Sequence, residues 1–156
     1  MTIREIRAAD RAGIEDMLVA CHAFSDEEVH VALEIVDESI ATGPGRFYHT
    51  FVGCEGDNVI GYVCAAPTPL TRSTWHVYWL CVHPNGQRRG IATALQKYTE
   101  DFIRSQGGKR VVVETSGRAD YSGTRTFYES AGYLPAGRIP DYYKPGDDWV
   151  VLWKPL

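Results

Sequence analysis

Val82-His83-Pro84-Asn85-Gly86-Gln87-Arg88-Arg89-Gly90-Ile91-Ala92 is the stretch whose reading decides the fold. The apolar run before it, Tyr78-Trp79-Leu80-Cys81-Val82, reads as a strand. The periodic run after it, from Thr93 to Ser105, reads as a helix. A strand stops at a proline, a basic loop with glycines intervenes, and a helix opens from that loop. The first turn of a helix presents N–H groups without partners and carries a partial positive charge. Such an end suits a phosphate or pyrophosphate, and Arg88 and Arg89 stand beside it.

Upstream, Thr2 to Ala8 alternates as a first strand, and Asp10 is a suitable N-cap for a helix to about Ala23. Ser25-Asp26-Glu27-Glu28 has the form of a capping box and opens a second helix through about Ala41, stopped by Thr42-Gly43-Pro44-Gly45. Phe47 to Cys54 and Val59 to Ala66 are strands joined by the hairpin signal Glu55-Gly56-Asp57-Asn58, and Thr74 to Val82 is the fourth strand. Downstream, Gly107-Gly108 stops the long helix. Lys109 to Thr115 is a fifth strand whose Val111-Val112-Val113 implies burial on both faces. Tyr121 to Ser130 is helical, and Tyr133 to Ile139 and Asp148 to Trp153 are the last strands. The order β-α-α-β-β-β-α-β-α-β-β predicts an α/β (α+β) fold with a mixed sheet. With no repeat, linker or low-complexity segment, residues 1–156 read as a single domain.

Composition narrows the function. A net charge of -4 argues against a general nucleic-acid binder, which needs a basic face. No apolar run approaches the roughly 20 residues that span a bilayer, so no membrane partner is expected. The charged, alternating N-terminus reads as a strand rather than a signal peptide. Cys21, Cys54, Cys64 and Cys81 are scattered without a CxxC pair, which fits reduced, mostly buried thiols and a cytoplasmic setting. His22, His30 and His83 form no metal-ligand spacing, so no metal is expected.

A dinucleotide loop would need G-x-G-x-x-G after the first strand, and a Walker loop G-x-x-x-x-G-K-[ST]; neither is present. The pattern here is Gln87-x-x-Gly90-x-Ala92. It resembles the pyrophosphate loop, Q/R-x-x-G-x-G/A, of the GNAT superfamily of N-acetyltransferases. Downstream, Phe127-Tyr128-Glu129-Ser130-Ala131-Gly132-Tyr133 resembles the family's F-Y-E-x-x-G-F/Y segment. The element order also agrees, so the resemblance spans nearly the whole chain. It implies a largely antiparallel central sheet with helices on both faces, and acetyl-CoA as co-substrate.

The resemblance implies roles residue by residue. Backbone groups of Leu80, Cys81 and Val82 would hold the pantetheine arm and polarise the thioester carbonyl. The loop from Gln87 through Arg88, Arg89, Gly90, Ile91 and Ala92 to Thr93 would hold the pyrophosphate. Tyr128 matches the tyrosine that protonates the leaving thiolate, and a phenol of pKa about 10 is a plausible donor to an alkyl thiolate. Many members carry Asn seven residues before that tyrosine and Ala four before it. Here Tyr121 and Thr124 stand there, followed by Arg125. Tyr121 and Arg125 are therefore candidates for the missing coenzyme contact or for shaping the acceptor pocket. Where members often place a base glutamate on the fourth strand, this chain has His76. His76, Glu114 on the fifth strand, and ordered water all stand as candidate bases.

The acceptor would enter opposite the coenzyme, near Asp26, Glu27, Glu28, Trp75, Tyr78 and a loop from Asp141 to Asp148 that carries Tyr142-Tyr143. Acidic and aromatic groups suit a cationic amine, and both a small amine and a protein amine stay open as acceptors. The leading expectation is a cytoplasmic N-acetyltransferase, with a homodimer as a possible assembly. The alternative is a non-catalytic acyl-CoA-binding or regulatory module on the same fold.

Overall fold

The computed structural model describes residues 1–43 and 47–156. Its elements are β1 (Thr2–Glu5), α1 (Arg11–Ala20), α2 (Asp26–Thr42), β2 (His49–Glu55), β3 (Asn58–Pro67), β4 (Thr74–Val82), α3 (Ile91–Ser105), β5 (Arg110–Ser116), α4 (Ser122–Ser130), β6 (Leu134–Lys144) and β7 (Asp147–Pro155). The order is the one expected. The strands form one seven-stranded sheet in the order β1-β2-β3-β4-β5-β7-β6. Only the β4–β5 pair is parallel, with α3 as its crossover; every other neighbour is antiparallel.

Local chemistry explains most boundaries. The capping box at Ser25 forms: its hydroxyl accepts from Glu28 N–H at 3.2 Å, and its own N–H donates to the Glu28 carboxylate at 2.8 Å. Gly43, at φ 66°, follows α2, while Pro44 and Gly45 of the expected stop signal lie outside the described residues. Gly107 and Gly108 end α3 by pairing their N–H groups with the carbonyls of Arg104 (3.0 Å) and Ile103 (2.9 Å). This is the Schellman arrangement, with Gly107 left-handed at φ 79°.

Three expectations need correction. β1 stops at Glu5, because Ala8–Asp10 form a single 3-10 turn before α1. Asp10 makes no side-chain cap on α1; its carboxylate accepts from Arg7 N–H at 2.7 Å and pairs with the Arg4 guanidinium at 2.7 and 2.8 Å. The expected loop from Asp141 to Asp148 is mostly strand, with β6 running to Lys144 and β7 starting at Asp147. A register slip between Ile139 and Lys144, with Asp141 at φ 54°, lets the hairpin continue past its irregularity.

The sheet separates two apolar layers. On one face Phe51, Val63, Trp75, Val77, Val111 and Val113 pack with Ile91, Leu95 and Ile103 of α3 and Tyr128 of α4. On the other, Val52, Cys54, Tyr62 and Cys81 pack with Ile14, Met17 and Leu18 of α1 and Ala32, Leu33 and Val36 of α2. The i, i+3, i+4 spacing in α1 and α2 turns one stripe of each helix to the sheet. This second layer takes in no residue of β5. Val112 is consequently only half-buried, against the expected burial on both faces. The same gap leaves the β4–β5 surface open where the site is built.

Among the described residues, Gly108 is the tightest glycine. A Cβ there would lie 2.3 Å from Ile103 Cγ2 and 2.9 Å from the Ile103 carbonyl oxygen. Gly108→Ala is expected to lower unfolding stability by about 1–3 kcal/mol through overpacking, measured by urea denaturation against wild type.

Candidate active site

β4 supplies the first part of the site. Cys64 pairs with Trp79 and Ala65 with Val77, so Tyr78 is an extra residue that no β3 residue opposes. Such a bulge bends and twists its strand. On the other edge, the ladder to β5 runs only from Thr74 to Val77. β5 continues beside β7 through Ser116, while β4 continues beside β3 to Val82. The two parallel strands part at Tyr78, and the edge of β4 from there through Leu80, Cys81 and Val82 has no ladder partner on the β5 side.

The loop after β4 leads into α3 through two left-handed residues, Arg88 (φ 60°) and Gly90 (φ 76°). Left-handed backbone costs a residue with a side chain about 1–2 kcal/mol, which glycine avoids. His83 accepts from Asn85 N–H at 3.1 Å through Nδ1, steadying the turn Pro84–Gly86. Gly90 offers α3 no side-chain cap, and the first turn contains no acid. The first bond into the helix runs from Ala94 N–H to the Gly90 carbonyl at 3.0 Å. The N–H groups of Ile91, Ala92 and Thr93 precede it and keep their donor capacity. They border a cavity of about 190 Å³ lined by Val82, Gly86, Gln87, Arg88, Gly90, Ile91, Ala92, Thr93 and Phe127. An anionic group fits there: the donors are uncapped, glycine leaves the wall bare, and the helix end is positive. Arg88 is exposed, whereas Arg89 is ion-paired with Glu55 of β2 at 2.5 Å.

The candidate proton-handling groups fall into two places. His76 Nε2 lies 3.7 Å from Glu114 Oε1, across the start of the split between β4 and β5. Burial pushes the His76 imidazole below its ordinary value, and the Glu114 carboxylate pulls it back only in part. His76 is therefore neutral at pH 7, with a lone pair available. Its ring lies 4.7 Å from Tyr78, whose ring meets Tyr48 edge-on at 5.6 Å. Tyr128 sits on α4, 6% exposed, beside Phe127 and Tyr133 at 5.1 Å each. Burial alone raises its phenol, so it stays protonated at neutral pH.

The remaining sequence candidates have structural partners. Tyr121 donates its hydroxyl to the Ala23 carbonyl at 3.2 Å, tying the start of α4 to the α1–α2 connection. The Arg125 guanidinium donates to the carbonyls of Ser116 (2.7 Å) and Arg118 (2.9 Å), holding the end of β5. Tyr142 and Tyr143 lie on exposed β6, with Tyr142 against Trp149 at 5.7 Å. Partial burial raises the Tyr143 phenol, and the charges of Glu114, Tyr142, Asp147 and Glu28 act in the same direction. Tyr48 was missed by sequence reading, since a tyrosine before β2 carries no pattern. The Cys21–Cys81 contact, Sγ to Sγ 3.2 Å, was missed too, because 60 residues separate the two.

Fold and site together define a split-sheet α/β domain with an uncapped helix start at the mouth of the split. The chain belongs to the acetyltransferase (GNAT) family, whose model matches residues 11–133. A protein from Desulfovibrio desulfuricans assigned to the same family is 33% identical in its crystal structure, with a TM-score of 0.95, 99% of this chain covered and 98% of that one. An aminoglycoside 6'-N-acetyltransferase crystallised with coenzyme A shares the fold at a TM-score of 0.79 and 17% identity, over 99% of this chain and 97% of that one. N-alpha-acetyltransferase 30 of Schizosaccharomyces pombe is 29% identical over 101 residues, 64% of this chain and 66% of that protein. The chain spans between 40% and 66% of the length of the curated relatives it matches. Among the described residues no helix is long and apolar enough to cross a membrane, and no group of three or more His, Cys, Asp or Glu is placed to hold a metal.

The His76 environment has measurable consequences. Its imidazole is expected to titrate below 6.5 by NMR, and Glu114→Gln is expected to move the midpoint lower still, because the carboxylate favours the cation. His49 is likewise lowered, chiefly by burial. For both, the folded value lies below the unfolded one, so the unfolded chain takes up more protons in acid. Their contribution to stability is present above about pH 6.5 and is lost as pH falls through the folded values. Urea midpoints measured from pH 7.5 to 5.0 are expected to fall accordingly.

Proposed function

We propose that this chain is an N-acetyltransferase that moves the acetyl group of acetyl-CoA to the primary amine of an acceptor, by direct attack in a ternary complex. The observation that carries the reading is the parting of β4 from β5 beside an uncapped helix start. An extended pantetheine arm could add to the free edge at Leu80, Cys81 and Val82 in the manner of a strand. The pyrophosphate would then reach the N–H groups of Ile91, Ala92 and Thr93, with Gln87, Arg88 and Gly90 around it and Arg89 held back by Glu55.

The chain's own groups can supply the proton transfers. An alkyl ammonium must lose a proton before it attacks, since its pKa is about 10.4. Neutral His76 accepts that proton directly or through water, and Glu114 stabilises the imidazolium that results. A backbone N–H of the free β4 edge polarises the thioester carbonyl as charge develops on oxygen. The amine nitrogen forms its bond to the carbonyl carbon, the carbon–sulfur bond breaks, and protonated Tyr128 donates to the departing thiolate. Tyr121 and Arg125 act in this reading by holding the α1–α2 connection and the end of β5 in place.

The acceptor side is acidic and aromatic: Glu114 lies 3.7 Å from His76, the charges of Glu114 and Glu28 act on Tyr143, and Tyr78 meets Tyr48 edge-on. Such a lining favours a cationic amine. The relatives' names include an N-alpha-acetyltransferase and an aminoglycoside acetyltransferase, so kinship is compatible with both protein and small-molecule amines. The alternative of a non-catalytic acyl-CoA-binding module drew on the lack of a carboxylate at position 76. Glu114 at 3.7 Å supplies that charge and favours the enzyme. Four free cysteines fit a reducing cytoplasm. β6, exposed along its whole length at the sheet edge, suits pairing with a second copy in a homodimer.

Thiol release from acetyl-CoA over a panel of small amines and peptide N-termini tests the reading. Release that depends on an amine is expected; coenzyme binding without release for any amine would leave only the binding module. Tyr128→Phe is expected to lower kcat by roughly 10²-fold or more while the dissociation constant for acetyl-CoA holds. His76→Ala is expected to abolish the rise in kcat/KM on the acid side of neutrality. An unaltered pH profile would assign the base to Glu114 or water.

A further inference from the structure

A pair of thiols lies beside the β4 edge and takes no part in the chemistry above. Cys21 is the C-cap of α1, and Cys81 is the penultimate residue of β4. Their sulfurs are 3.2 Å apart, and Cys21 Sγ also lies 3.4 Å from the Val82 carbonyl oxygen. Both are free thiols, Cys21 half-buried and Cys81 6% exposed. The other two, Cys54 and Cys64, are buried and have no such neighbour among the described residues.

We propose that Cys21 and Cys81 form an oxidation site, converted by a peroxide-class oxidant to a disulfide that pins the end of α1 to β4 at the donor strand. The accessible sulfur reacts first. The Cys21 thiol gives up its proton, its thiolate attacks one oxygen of hydrogen peroxide, the O–O bond breaks, and Cys21 becomes a sulfenic acid while the leaving hydroxide takes up that proton and departs as water. Cys81 sulfur then attacks the Cys21 sulfur, the S–S bond forms, the S–O bond breaks, and the oxygen departs with the Cys81 proton as a second water. Two thiols are oxidised and one peroxide is reduced.

Exposure and the sulfur–sulfur contact favour this order. The contact, in which either thiol can donate, holds the Cys21 thiol below its ordinary value, while the same contact and burial raise Cys81. The outer sulfur is thus the nucleophile and the inner one the resolving thiol. A disulfide bond is about 2.0 Å long, so the sulfurs must close by roughly 1 Å. Cys21 ends α1 and residues 22–25 are neither helix nor strand, so this closure at Cys21 breaks no ladder pairing. Tyr62, directly opposite Cys81 in the β3–β4 ladder, keeps a buried hydroxyl with no hydrogen-bond partner among the described residues. Disulfides in the cytosol are mostly transient and redox-sensing, which fits a site on one edge of a catalytic strand.

The effect on the donor rests on the acetyl-CoA placement proposed above; the thiol chemistry does not. The test treats the full chain with hydrogen peroxide under native conditions, denatures and alkylates it, and maps peptides by mass spectrometry. Two of the four cysteines are expected to escape alkylation, with a Cys21–Cys81 crosslinked peptide lighter by two hydrogens and restored by dithiothreitol. Four alkylated cysteines, or a Cys21 sulfinic acid without crosslink, would overturn the site. Titration with acetyl-CoA, which brings no free thiol, is expected to show lost affinity in the oxidised protein and recovery on reduction. Cys21→Ala is expected to keep transfer activity and to lose its sensitivity to peroxide. A crosslink that leaves acetyl-CoA affinity intact would overturn the coupling. A reduced protein that binds no acetyl-CoA would overturn the proposed function and leave the thiol result standing.

Discussion

β4 and β5 are joined side by side for four residue pairs and then part. The candidate site is arranged around that divergence. Parallel strands need a crossover, and α3 provides it on one face of the sheet. The bulge at Tyr78 turns β4 away just where the ladder to β5 ends. A bent strand with an unpaired edge would be a liability at the rim of a sheet. Inside the sheet, that edge faces the gap left where β5 follows β7 instead.

The two faces of the sheet divide the labour. The α3 face is closed by a dense aromatic and aliphatic layer in which Phe51, Trp75 and Phe102 pack edge to face. That layer fixes the start of α3 and so fixes where its free N–H groups lie. The opposite face is closed by α1 and α2 only as far as β4. Past that cover, Val112 of β5 and His76 of β4 are left partly open and Glu114 is exposed. The imidazole is buried enough to stay neutral and near enough to a carboxylate to be supported once it takes a proton. A site with more cover would strand the charge; one with less would return the histidine to its ordinary behaviour.

The connection between α1 and α2 meets both regions. Tyr121 anchors it from α4 through the Ala23 carbonyl, and Cys21 touches β4 at Cys81. Arg125 and the Asp147–Ser116 contact hold the other bank of the split. The free edge is thus framed by fixed elements, as a preorganised site requires.

Features that act within a few residues were legible in the chain itself. The capping box at Ser25, the glycine stop after α3 and the order of strands and helices all follow from local backbone chemistry and side-chain period. A helix start after a basic loop pointed to an anion, and the resemblance of Gln87, Gly90 and Ala92 to the family loop gave its class. The Asp141–Asp148 segment escaped because a bulged hairpin and a loop share the same turn residues. What sequence distance separates, only the folded sheet could join: His76 with Glu114, Arg89 with Glu55, Cys21 with Cys81, and the strands that part. Spacing encodes which face of one element a residue occupies. Which two elements meet, and where they separate, is set by the packing of both layers on the sheet at once.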